Sequence, residues 1–558
     1  MVQNNQRFLR VCYGNCGEWN NFGYTEQAYV DYSKPMQRAF GAYLKEKYQT
    51  EAALQKAWGR SDVTFDSDNL VPTRENRWKG GDFVRANGAE GMPSVDYYEF
   101  FQKFAAETVI HFARIVKQAS EGKMLAGAYF GYYFGHYGAN PFHFQDCGQY
   151  GVPWLLAAPE VDFYGGPYSY TQRLTSLAVN GITGSIRLAG KIWETENDER
   201  THRSSGERNK MFGATANLSE SIAMCKRNVM LNLEAGSSFY YYDFVRDWYW
   251  DPGYMETVAK MREIDFALRR GAWENPARLA IIFSEKTVPY FTSRNDNMIL
   301  RQAGNYFKKD LPYIGMPYDV YLTTDLAKIN FSRYDAVLFP NCTYADDGLI
   351  ADIHRYAAGN GRKLVFFHSP GLVNAENRLD PAQSEKLTGI RIAFDPEKTV
   401  GLMSGKYGRT RLAPVRFRTE IDDAEATALG TWEDGAVAMA EKQFPEWKSI
   451  VICHHAPDVA MLRNLLRDNG VHVWSGAQSG LNQCMFAGPL LAMYSRSAGN
   501  QTFRLPEKAE IAVDLFTGEV LARDSSEIDF TSPAEPHTRI IFAGKLNDYQ
   551  QYFQKGNR

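Results

Sequence analysis

The segment Lys191–His202, KIWETENDERTH, concentrates the residue types that acid–base chemistry needs. It opens with the apolar pair Ile192 and Trp193, which can end a buried strand, and continues with the carboxylates Glu194, Glu196, Asp198 and Glu199. Side chains of an extended segment alternate between two faces, so Glu194, Glu196 and Asp198 are expected to project to one side. Like charges at this spacing are unstable unless a cation neutralises them or one pKa rises. A solvated surface loop is the simpler interpretation of such a charged run. Taken by itself, this segment is therefore a candidate site and does not yet indicate a function.

Glu18 is a second candidate carboxylate, in the segment Tyr13–Gly23, YGNCGEWNNFG. It lies between Gly17 and Trp19, after a run, Phe8–Tyr13, that is predicted to form a short strand. A partly apolar cleft would raise the pKa of the Glu18 carboxyl toward the range that suits a general acid. Two carboxylates at the ends of separate strands match the chemistry of glycoside hydrolysis.

The composition excludes several classes of protein. The chain has 558 residues, which predicts two or three domains, and its 44% hydrophobic content is sufficient for several cores. A net charge of −3 gives no electrostatic case for nucleic acid or an anionic membrane as a partner. No apolar stretch approaches the about 20 residues that cross a bilayer, and the first residues contain no apolar signal-peptide core. Seven cysteines are odd in number and do not form a disulfide framework, which favours a reduced, cytoplasmic protein.

Residues 1–272 are predicted to alternate between helices and strands. The predicted helices cover Met36–Trp58, Asp96–Ser120, Val152–Ala158 and Asn217–Ala235, and the predicted strands cover Met124–Tyr133, Val161–Tyr170, the run that ends at Glu196, and Ser237–Phe244. This repetition is typical of a parallel α/β layer. Polar and aromatic residues follow the strands, and the loops at those strand ends build the active site of a β/α barrel. The pattern therefore predicts a barrel.

Two further domains are predicted after a boundary near Gly271–Pro276. The strand-like segments of residues 273–482 are Arg278–Glu285, Tyr318–Thr323, Tyr334–Pro340, Lys363–His368, Ile450–His455 and Val471–Trp474. With helical stretches between them, they predict an open, doubly wound α/β domain. Residues 483–558 contain short strands and turns, which predict a small antiparallel β domain.

Several motifs resemble the glycoside hydrolase family 42 β-galactosidases. They are the GEW segment at Gly17–Trp19, DYSKPMQRAF at Asp31–Phe40, the AAL…AWG run that ends at Gly59, and VTFD at Val63–Asp66. The later ETENDERTH segment resembles the nucleophile strand of relatives that read E-x-D-x-R-T, which places the motif's glutamate at Glu196. The resemblance covers nearly the whole chain. It implies a partial (β/α)8 TIM barrel, a Rossmann- or flavodoxin-like trimerisation domain similar to glutamine amidotransferases, and a small C-terminal β-sandwich.

The resemblance assigns the chemistry to two glutamates. Glu18 would be the general acid/base after the fourth barrel strand and Glu196 the nucleophile after the seventh, which implies retaining hydrolysis of a β-galactoside-type substrate. The family usually has an Asn before the acid/base, whereas a glycine precedes it here. The family's zinc-binding cysteine cluster is not reproduced, because Cys12 and Cys16 are close together but Cys147 is distant in sequence. Neither a cofactor nor a metal is expected.

The remaining candidate residues are expected to bind or orient the sugar. They are Asn15, Trp19, Tyr168, Trp193, Arg200, Tyr241, Asp243 and Trp248. Arg200 is expected to be an ion-pair partner that keeps a carboxylate ionised, and either Tyr241 or Asp243 is expected to face the sugar. Any single tryptophan is more often a packing residue. Glu194 is the alternative nucleophile, because it lies on the same strand face as Glu196.

Two other groups of residues could suggest different chemistry. His136 and His143 are the nearest approach to a metal-binding pair, but no regular ligand spacing accompanies them. Cys453, His454 and His455 could suggest a Cys–His hydrolase. A nucleophile of that kind requires a Gly-flanked elbow, which IVICHHAP lacks, so a core strand is predicted.

If Glu18 follows the fourth strand, the sequence holds only about five of the eight strands that close a parallel barrel. The expectation is then a truncated sequence that begins at an internal Met. The leading functional expectation is a retaining glycosidase that acts on an oligo- or polysaccharide and assembles as a homotrimer. The alternative is a non-catalytic carbohydrate-binding or assembly protein on a degenerate glycosidase scaffold.

Overall fold

The computed structural model describes residues 8–11, 31–133, 145, 148–169, 173–204, 206–243, 247–292, 297–476 and 481–554. Within these ranges the strands form four sheets, and no helix is both long enough and apolar enough to cross a membrane. The sequence predictions for Cys12, Asn15, Cys16, Glu18, Trp19, His136, His143 and Cys147 lie outside the described residues and stay predictions.

The first sheet consists of five parallel strands in sequential order. The strands are β1 Phe8–Val11, β2 Leu125–Tyr129, β3 Phe163–Pro167, β4 Ile192–Asn197 and β5 Ser238–Tyr241. The helices of this part are α1 Lys34–Tyr48, α2 Glu51–Trp58, α3 Arg74–Trp78, α4 Met92–Ala119, α5 Val152–Ala157, α6 Thr183–Leu188, α7 Glu207–Met211, α8 Leu218–Ala235 and α9 Pro252–Arg270. The predicted alternation of helices and strands is confirmed, with shorter strands than the sequence suggested.

The helical region predicted over Met36–Trp58 is confirmed, and it consists of two helices, α1 and α2. Gln49 adopts φ 63° after the end of α1. Thr50 then caps α2 by accepting a hydrogen bond from the N–H of Ala53 at 3.2 Å. A left-handed residue interrupts the backbone hydrogen-bond ladder, and a threonine oxygen satisfies an N–H that the new helix leaves free. Phe40, Leu44 and Tyr48 of the predicted region therefore belong to α1, and Leu54 and Trp58 belong to α2.

The second part of the chain contains a nine-stranded mixed sheet and a separate two-stranded ribbon. Its strands are β6 Leu279–Phe283, β7 Tyr318–Leu322, β8 Ala336–Phe339, β9 Arg362–Phe367, β10 Ile392–Val400, β11 Met403–Gly405, β12 Gly408–Thr410, β13 Val415–Ile421, β14 Thr427–Trp432, β15 Val437–Gln443 and β16 Trp447–Ile452. Its helices are α10 Met298–Asn305, α11 Asp347–Asp352, α12 Pro381–Thr388 and α13 Val459–Asp468. The five parallel strands lie in the order β7-β6-β8-β9-β16, which is the flavodoxin-like order.

Two features of this part differ from the sequence prediction. The antiparallel strands β11, β12, β14 and β15 extend the parallel sheet beyond β16, where helical stretches were expected. Val471–Trp474 was predicted to be a strand of the same sheet, and that prediction is wrong. The N–H of Trp474 donates to the carbonyl of Gly315 at 3.1 Å, and its carbonyl accepts from the N–H of Arg504 at 2.8 Å. These hydrogen bonds tie the segment to a turn and to the C-terminal part instead of to a ladder.

The C-terminal part is one antiparallel sheet, in the order β17-β18-β21-β19-β20. The elements are β17 Asn482–Ala487, β18 Leu490–Ser495, β19 Gly499–Asp514, β20 Val520–Ser532, β21 His537–Gly544 and the short helix α14 Leu546–Asp548. A sandwich of two sheets was expected, and within the described residues there is only one. Its apolar face, which includes Met485 and Ile540, packs against Val229 and Met230 of α8. A helix of the first part therefore covers the face that a second sheet would cover in a sandwich.

Asp319 of β7 connects several segments of the chain. It is 4% exposed, and its carboxylate accepts hydrogen bonds from Arg187 of α6 at 2.7 Å, from Asn275 at 3.0 Å and from Tyr334 at 2.7 Å. Donors from three separate segments thus converge on one buried carboxylate. These bonds hold the second part of the chain against α6 and the linker that follows α9.

Candidate active site

Glu196 lies at the carboxyl end of the five-stranded sheet. It is the next-to-last residue of β4, and it pairs in register with Pro167 of β3 and Tyr240 of β5. Its exposure is only 9%. Active sites of β/α barrels are built at the carboxyl ends of their parallel strands, so the position of Glu196 suits a catalytic carboxylate.

Two tyrosine hydroxyls hold the Glu196 carboxylate. Tyr129, the last residue of β2, and Tyr240 of β5 each donate a hydrogen bond to Oε2 of Glu196 at 2.5 Å, and the two hydroxyls also contact each other. Burial, followed by the hydrogen bond to Glu196, raises the pKa of Tyr129, so this hydroxyl stays protonated as a donor. Two donors on one carboxylate oxygen fix the orientation of the carboxyl group. Glu196 is thus held as an oriented carboxylate.

Glu194 is the second carboxylate of β4 on this face of the sheet. It lies two residues before Glu196, in register with Gly165 and Ser238, and it is half-buried. Both register partners are small, so they leave space beside the Glu194 side chain. Glu194 therefore lies deeper along the strand than Glu196, which is closer to the carboxyl end.

Asp198 was expected on the same side as Glu194 and Glu196, and the structure places it elsewhere. β4 ends at Asn197, so the alternation of an extended strand does not continue to Asp198. The Asp198 carboxylate accepts from the guanidinium of Arg173 and from that of Arg200, the latter at 2.5 Å. Arg200 does pair with a carboxylate as predicted, but the carboxylate is that of Asp198. Two guanidiniums thus relieve the crowding of like charges.

Glu199 forms a second buried ion pair beside the site. Its carboxylate accepts from Arg227 of α8 at 3.1 Å, and the two residues are 3% and 0% exposed. Burial raises the pKa of Glu199, while the positive charges of Arg227 and Arg173 oppose that shift. A buried pair of this kind is costly to break, because the remaining charge has no compensation.

Two of the predicted sugar contacts, Trp193 and Tyr168, are packed in the core, and a third, Tyr241, is partly buried against it. Trp193 is 1% exposed on the face of β4 opposite to Glu196, and its indole N–H donates to the Thr195 hydroxyl at 3.1 Å. Tyr168 is 0% exposed, and its hydroxyl donates to a carbonyl of α8 at 3.1 Å. Tyr241 lies on the face of β5 opposite to Tyr240, and its hydroxyl is 3.5 Å from the sulfur of Cys225. The structure does not bring these side chains to Glu196.

Asp243, Trp248 and Arg200 form one cluster beside the end of β4. The guanidinium of Arg200 lies 4.8 Å from the centre of the Trp248 ring, and the Thr201 hydroxyl donates to the Trp248 carbonyl. The Trp248 N–H donates to the Asp243 carboxylate at 3.2 Å. Trp248 is 3% exposed, so its ring is packed within the cluster.

Tyr129 and Tyr240 are the site residues that sequence reasoning missed. Tyr240 belongs to the run Tyr240–Tyr242, in which only the register with β4 decides which ring shares the face of Glu196. Tyr129 lies in MLAGAYFGYY, an apolar strand with several aromatic residues and no polar signal. These two tyrosines could be identified only from the register of the parallel strands around β4, once the face on which Glu196 lies is known.

The described ranges contain no group of three or more His, Cys, Asp or Glu side chains arranged to hold a metal ion. Cys453, at the end of β16, is buried, and burial raises the pKa of its thiol to about 12. A thiol of that kind is not a nucleophile at neutral pH. The predicted core strand is confirmed only in the burial of Cys453, His454 and His455, because β16 already ends at Ile452.

No protein-family model matches this sequence, and no curated protein matches it. Solved structures do match its fold over most of its length. A β-galactosidase from the Antarctic haloarchaeon Halorubrum lacusprofundi superposes with a TM-score of 0.61 at 15% identity, over 93% of this chain and 78% of that chain. The β-galactosidase from Bacillus circulans sp. alkalophilus gives a TM-score of 0.57 at 14% identity, over 97% of this chain and 80% of that chain.

The similarity includes enzymes of one glycosidase family. Gan42B, a GH42 β-galactosidase from G. stearothermophilus, superposes with a TM-score of 0.60 at 16% identity, over 91% of this chain and 75% of that chain. At these identities the similarity is one of fold. The chain therefore has the mixed α/β fold of a multidomain glycosidase, and in particular that of the GH42 β-galactosidases, as the sequence motifs indicated.

Proposed function

We propose that this chain is a retaining glycosidase that acts on β-galactoside-type substrates, with Glu196 as the nucleophile. The observation that carries the proposal is the Glu196 carboxylate at the end of β4, with two tyrosine hydroxyls on its Oε2. A carboxylate nucleophile must be fixed in orientation, and the two hydrogen bonds supply that constraint. The similarity in fold to β-galactosidases supports the substrate class.

The proposed reaction has two displacements at the anomeric carbon. Because Oε2 of Glu196 is engaged by the tyrosines, Oε1 is assigned to the attack, which forms a glycosyl ester as the bond to the leaving oxygen breaks. Glu18 is assigned as the acid that gives its proton to that oxygen. Glu18 then takes a proton from water, which attacks the same carbon and releases Glu196 as a carboxylate. Retention predicts a separation of about 5–5.5 Å between the two carboxyl groups.

The scaffold assignments are part of the same proposal. We assign β1–β5 to strands four to eight of a (β/α)8 barrel in residues 1–272, which their sequential parallel order supports. Residues 273–482, with their flavodoxin-like strand order, are assigned to trimerisation, and residues 483–558 to the small C-terminal domain. Asn15 and Trp19 are assigned with Glu18 to sugar contacts. A solution mass of three chains by sedimentation equilibrium would support the trimer, and a monomer would refute it.

Hydrolysis of an aryl β-galactoside tests the nucleophile. We expect Glu196→Gln to lower kcat by roughly a thousandfold or more while the circular dichroism spectrum is retained. Glu194→Gln is the matched comparison, because Glu194 lies on the same strand and the same face. Loss of turnover in Glu194→Gln but not in Glu196→Gln would move the nucleophile to Glu194.

Azide rescue distinguishes a nucleophile from a binding residue. In Glu196→Ala, azide can enter the space of the lost carboxylate and attack the anomeric carbon directly, which gives an α-galactosyl azide. This product is expected with an activated aryl β-galactoside. A parent chain that shows a sugar-dependent rise in Tm but no turnover would contradict the proposal and support a carbohydrate-binding protein.

A further inference from the structure

We propose that the C-terminal sheet positions the candidate active site, with Gln483 and Tyr494 as positioning residues. Both act through residues 173–182, a segment between β3 and α6 that contacts the C-terminal sheet on one side and the end of β4 on the other. Where it concerns turnover, this inference rests on the proposed function. The structural link itself can be measured without turnover.

Gln483 of β17 makes the first contact with this segment. Its side-chain Oε1 accepts from the N–H of Leu177 at 3.0 Å, and its Nε2 donates to the carbonyl of Leu177 at 2.7 Å. Gln483 is 1% exposed. The amide therefore pairs with both backbone groups of one residue, as a neighbouring strand would, and water cannot replace it without an opening of the interface.

Tyr494 of β18 makes the second contact. Its hydroxyl donates to the carbonyl of Leu174 at 3.0 Å, and the residue is 1% exposed. Its ring also lies under Arg227 of α8, with the guanidinium 4.8 Å from the ring centre. Arg227 in turn pairs with Glu199 at 3.1 Å. Tyr494 is thus connected to the residues after β4 in two ways, through the segment that contains Leu174 and through Arg227 and Glu199.

The same segment contacts the end of β4 directly. Arg173 donates to the carbonyl of Asp198 at 2.9 Å and also to its carboxylate. Asn180 donates to the carbonyl of Pro167 at 2.6 Å, and Pro167 is the register partner of Glu196. The backbone on each side of the Glu196 side chain is therefore held by Arg173 and Asn180, which belong to the segment that is bonded to the C-terminal sheet at Leu174 and Leu177.

Small displacements of a catalytic group reduce rate strongly, because the attack requires a narrow range of distance and angle. Arg173, Asp198 and Glu199 are each at most 4% exposed. They cannot exchange these partners for water at low cost. Substitution of Gln483 is therefore expected to make the backbone around Asp198 less ordered and to displace Glu196. The result would be a lower kcat, although Gln483 contacts no substrate.

Hydrogen exchange measured by mass spectrometry tests the link in the full chain. We compare Gln483→Leu with Gln501→Leu, a matched control in β19 of the same sheet, whose amide oxygen accepts from Asn482 within that sheet. Faster exchange is expected in peptides that cover 174–182 and 198–204 for Gln483→Leu, and in neither for the control. Faster exchange confined to 174–182 would overturn the proposal.

Turnover of an aryl β-galactoside adds a readout that a purely structural role would not move. Gln483→Leu is expected to lower kcat by about tenfold with KM changed by no more than about twofold. Unchanged kcat in a variant whose 174–182 segment has loosened would overturn the proposal. A parent chain without turnover would refute the proposed function, and the exchange result would still decide whether the sheet orders residues 198–204.

Tyr494 provides a second pair of variants should Gln483→Leu fail to fold. Tyr494→Phe removes only the hydroxyl and keeps the ring under Arg227, whereas Tyr494→Leu removes both contacts. The expected order of exchange in 198–204 is parent, then Tyr494→Phe, then Tyr494→Leu, from slowest to fastest. Equal exchange in all three chains would contradict the inference.

Discussion

Replacement of Glu234 by glutamine is expected to stabilise this protein, by an amount that grows with pH. Glu234 lies in the last turn of α8, beside a cavity of about 70 Å³ that residues of all three parts of the chain line. Its Oε1 accepts from the N–H of Phe486 in β17 at 3.2 Å. The charged groups nearby are Asp319 and Arg187. The carboxyl is thus placed where the three parts meet.

Burial raises the pKa of Glu234 to about 8, and the negative charge of Asp319 adds to the shift, while the Phe486 N–H and Arg187 oppose it. The folded pKa is above the unfolded value of 4.5. The Glu234 carboxyl therefore binds its proton more tightly in the folded state than in the unfolded state. The stabilisation of the fold by this proton is complete below pH 4.5 and is lost as pH rises to about 8. At about 1.36 kcal/mol per pH unit the loss would approach about 5 kcal/mol, and the partial exposure of the Glu234 side chain reduces it to roughly 2–4 kcal/mol.

Glutamine keeps the oxygen that accepts from Phe486 and cannot ionise. Urea unfolding of the parent and of Glu234→Gln at pH 5, 7 and 9 measures the difference, with an intrinsic-fluorescence and a circular dichroism readout because several domains can unfold separately. Glu256→Gln, at an exposed glutamate of α9, is the matched control. A stability difference that is the same at all three pH values would refute the reasoning.

Three further predictions concern the buried charges and the rim of the site. Arg227→Met is expected to destabilise the fold by about 3–5 kcal/mol in urea unfolding, because Glu199 would remain buried without its partner, and the added change Glu199→Gln should recover part of the loss. Burial lowers the pKa of His368 to about 4, so its contribution to stability is present above pH 6.5 and falls toward pH 4. In His368→Gln the change of Tm between pH 7 and 5 should be smaller, and an unchanged slope would contradict this. Trp250 lies in the loop between β5 and α9 that also contains Trp248, and it is 77% exposed; Trp250→Ala is expected to raise KM for galacto-oligosaccharides by roughly fivefold, but not KM for an aryl galactoside.

The position of Glu196 could be predicted from the sequence, whereas its neighbours could not. An apolar pair followed by alternating carboxylates indicates a strand that ends at a polar site, and that strand is β4. The partners Tyr129 and Tyr240 come from two other strands, and only the three-dimensional register brings their hydroxyls to the same oxygen. Sequence spacing carries information within one strand and very little between strands.

The errors have a common cause, which is that local pattern does not show where an element ends. The alternation that placed Asp198 beside Glu196 stops at Asn197, one residue too early. Val471–Trp474 has the composition of a buried strand, but its hydrogen bonds go to Gly315 and Arg504. The antiparallel strands β11, β12, β14 and β15 are short and partly exposed, so their apolar periodicity is weak.

The carboxylate of Asp319 also limits how this molecule can move. Its hydrogen-bond donors lie on α6, on the linker after α9 and just before β8. A rocking motion at β7 would therefore have to break several short hydrogen bonds together. A hinge normally consists of a few residues that absorb rotation at little cost. Access to the carboxyl end of β4 is therefore expected to depend on the strand-end loops, with the parts of the chain moving as one body. Loop exchange should then be fast while the relative orientation of the parts, measured by small-angle scattering, is unchanged on addition of galactose.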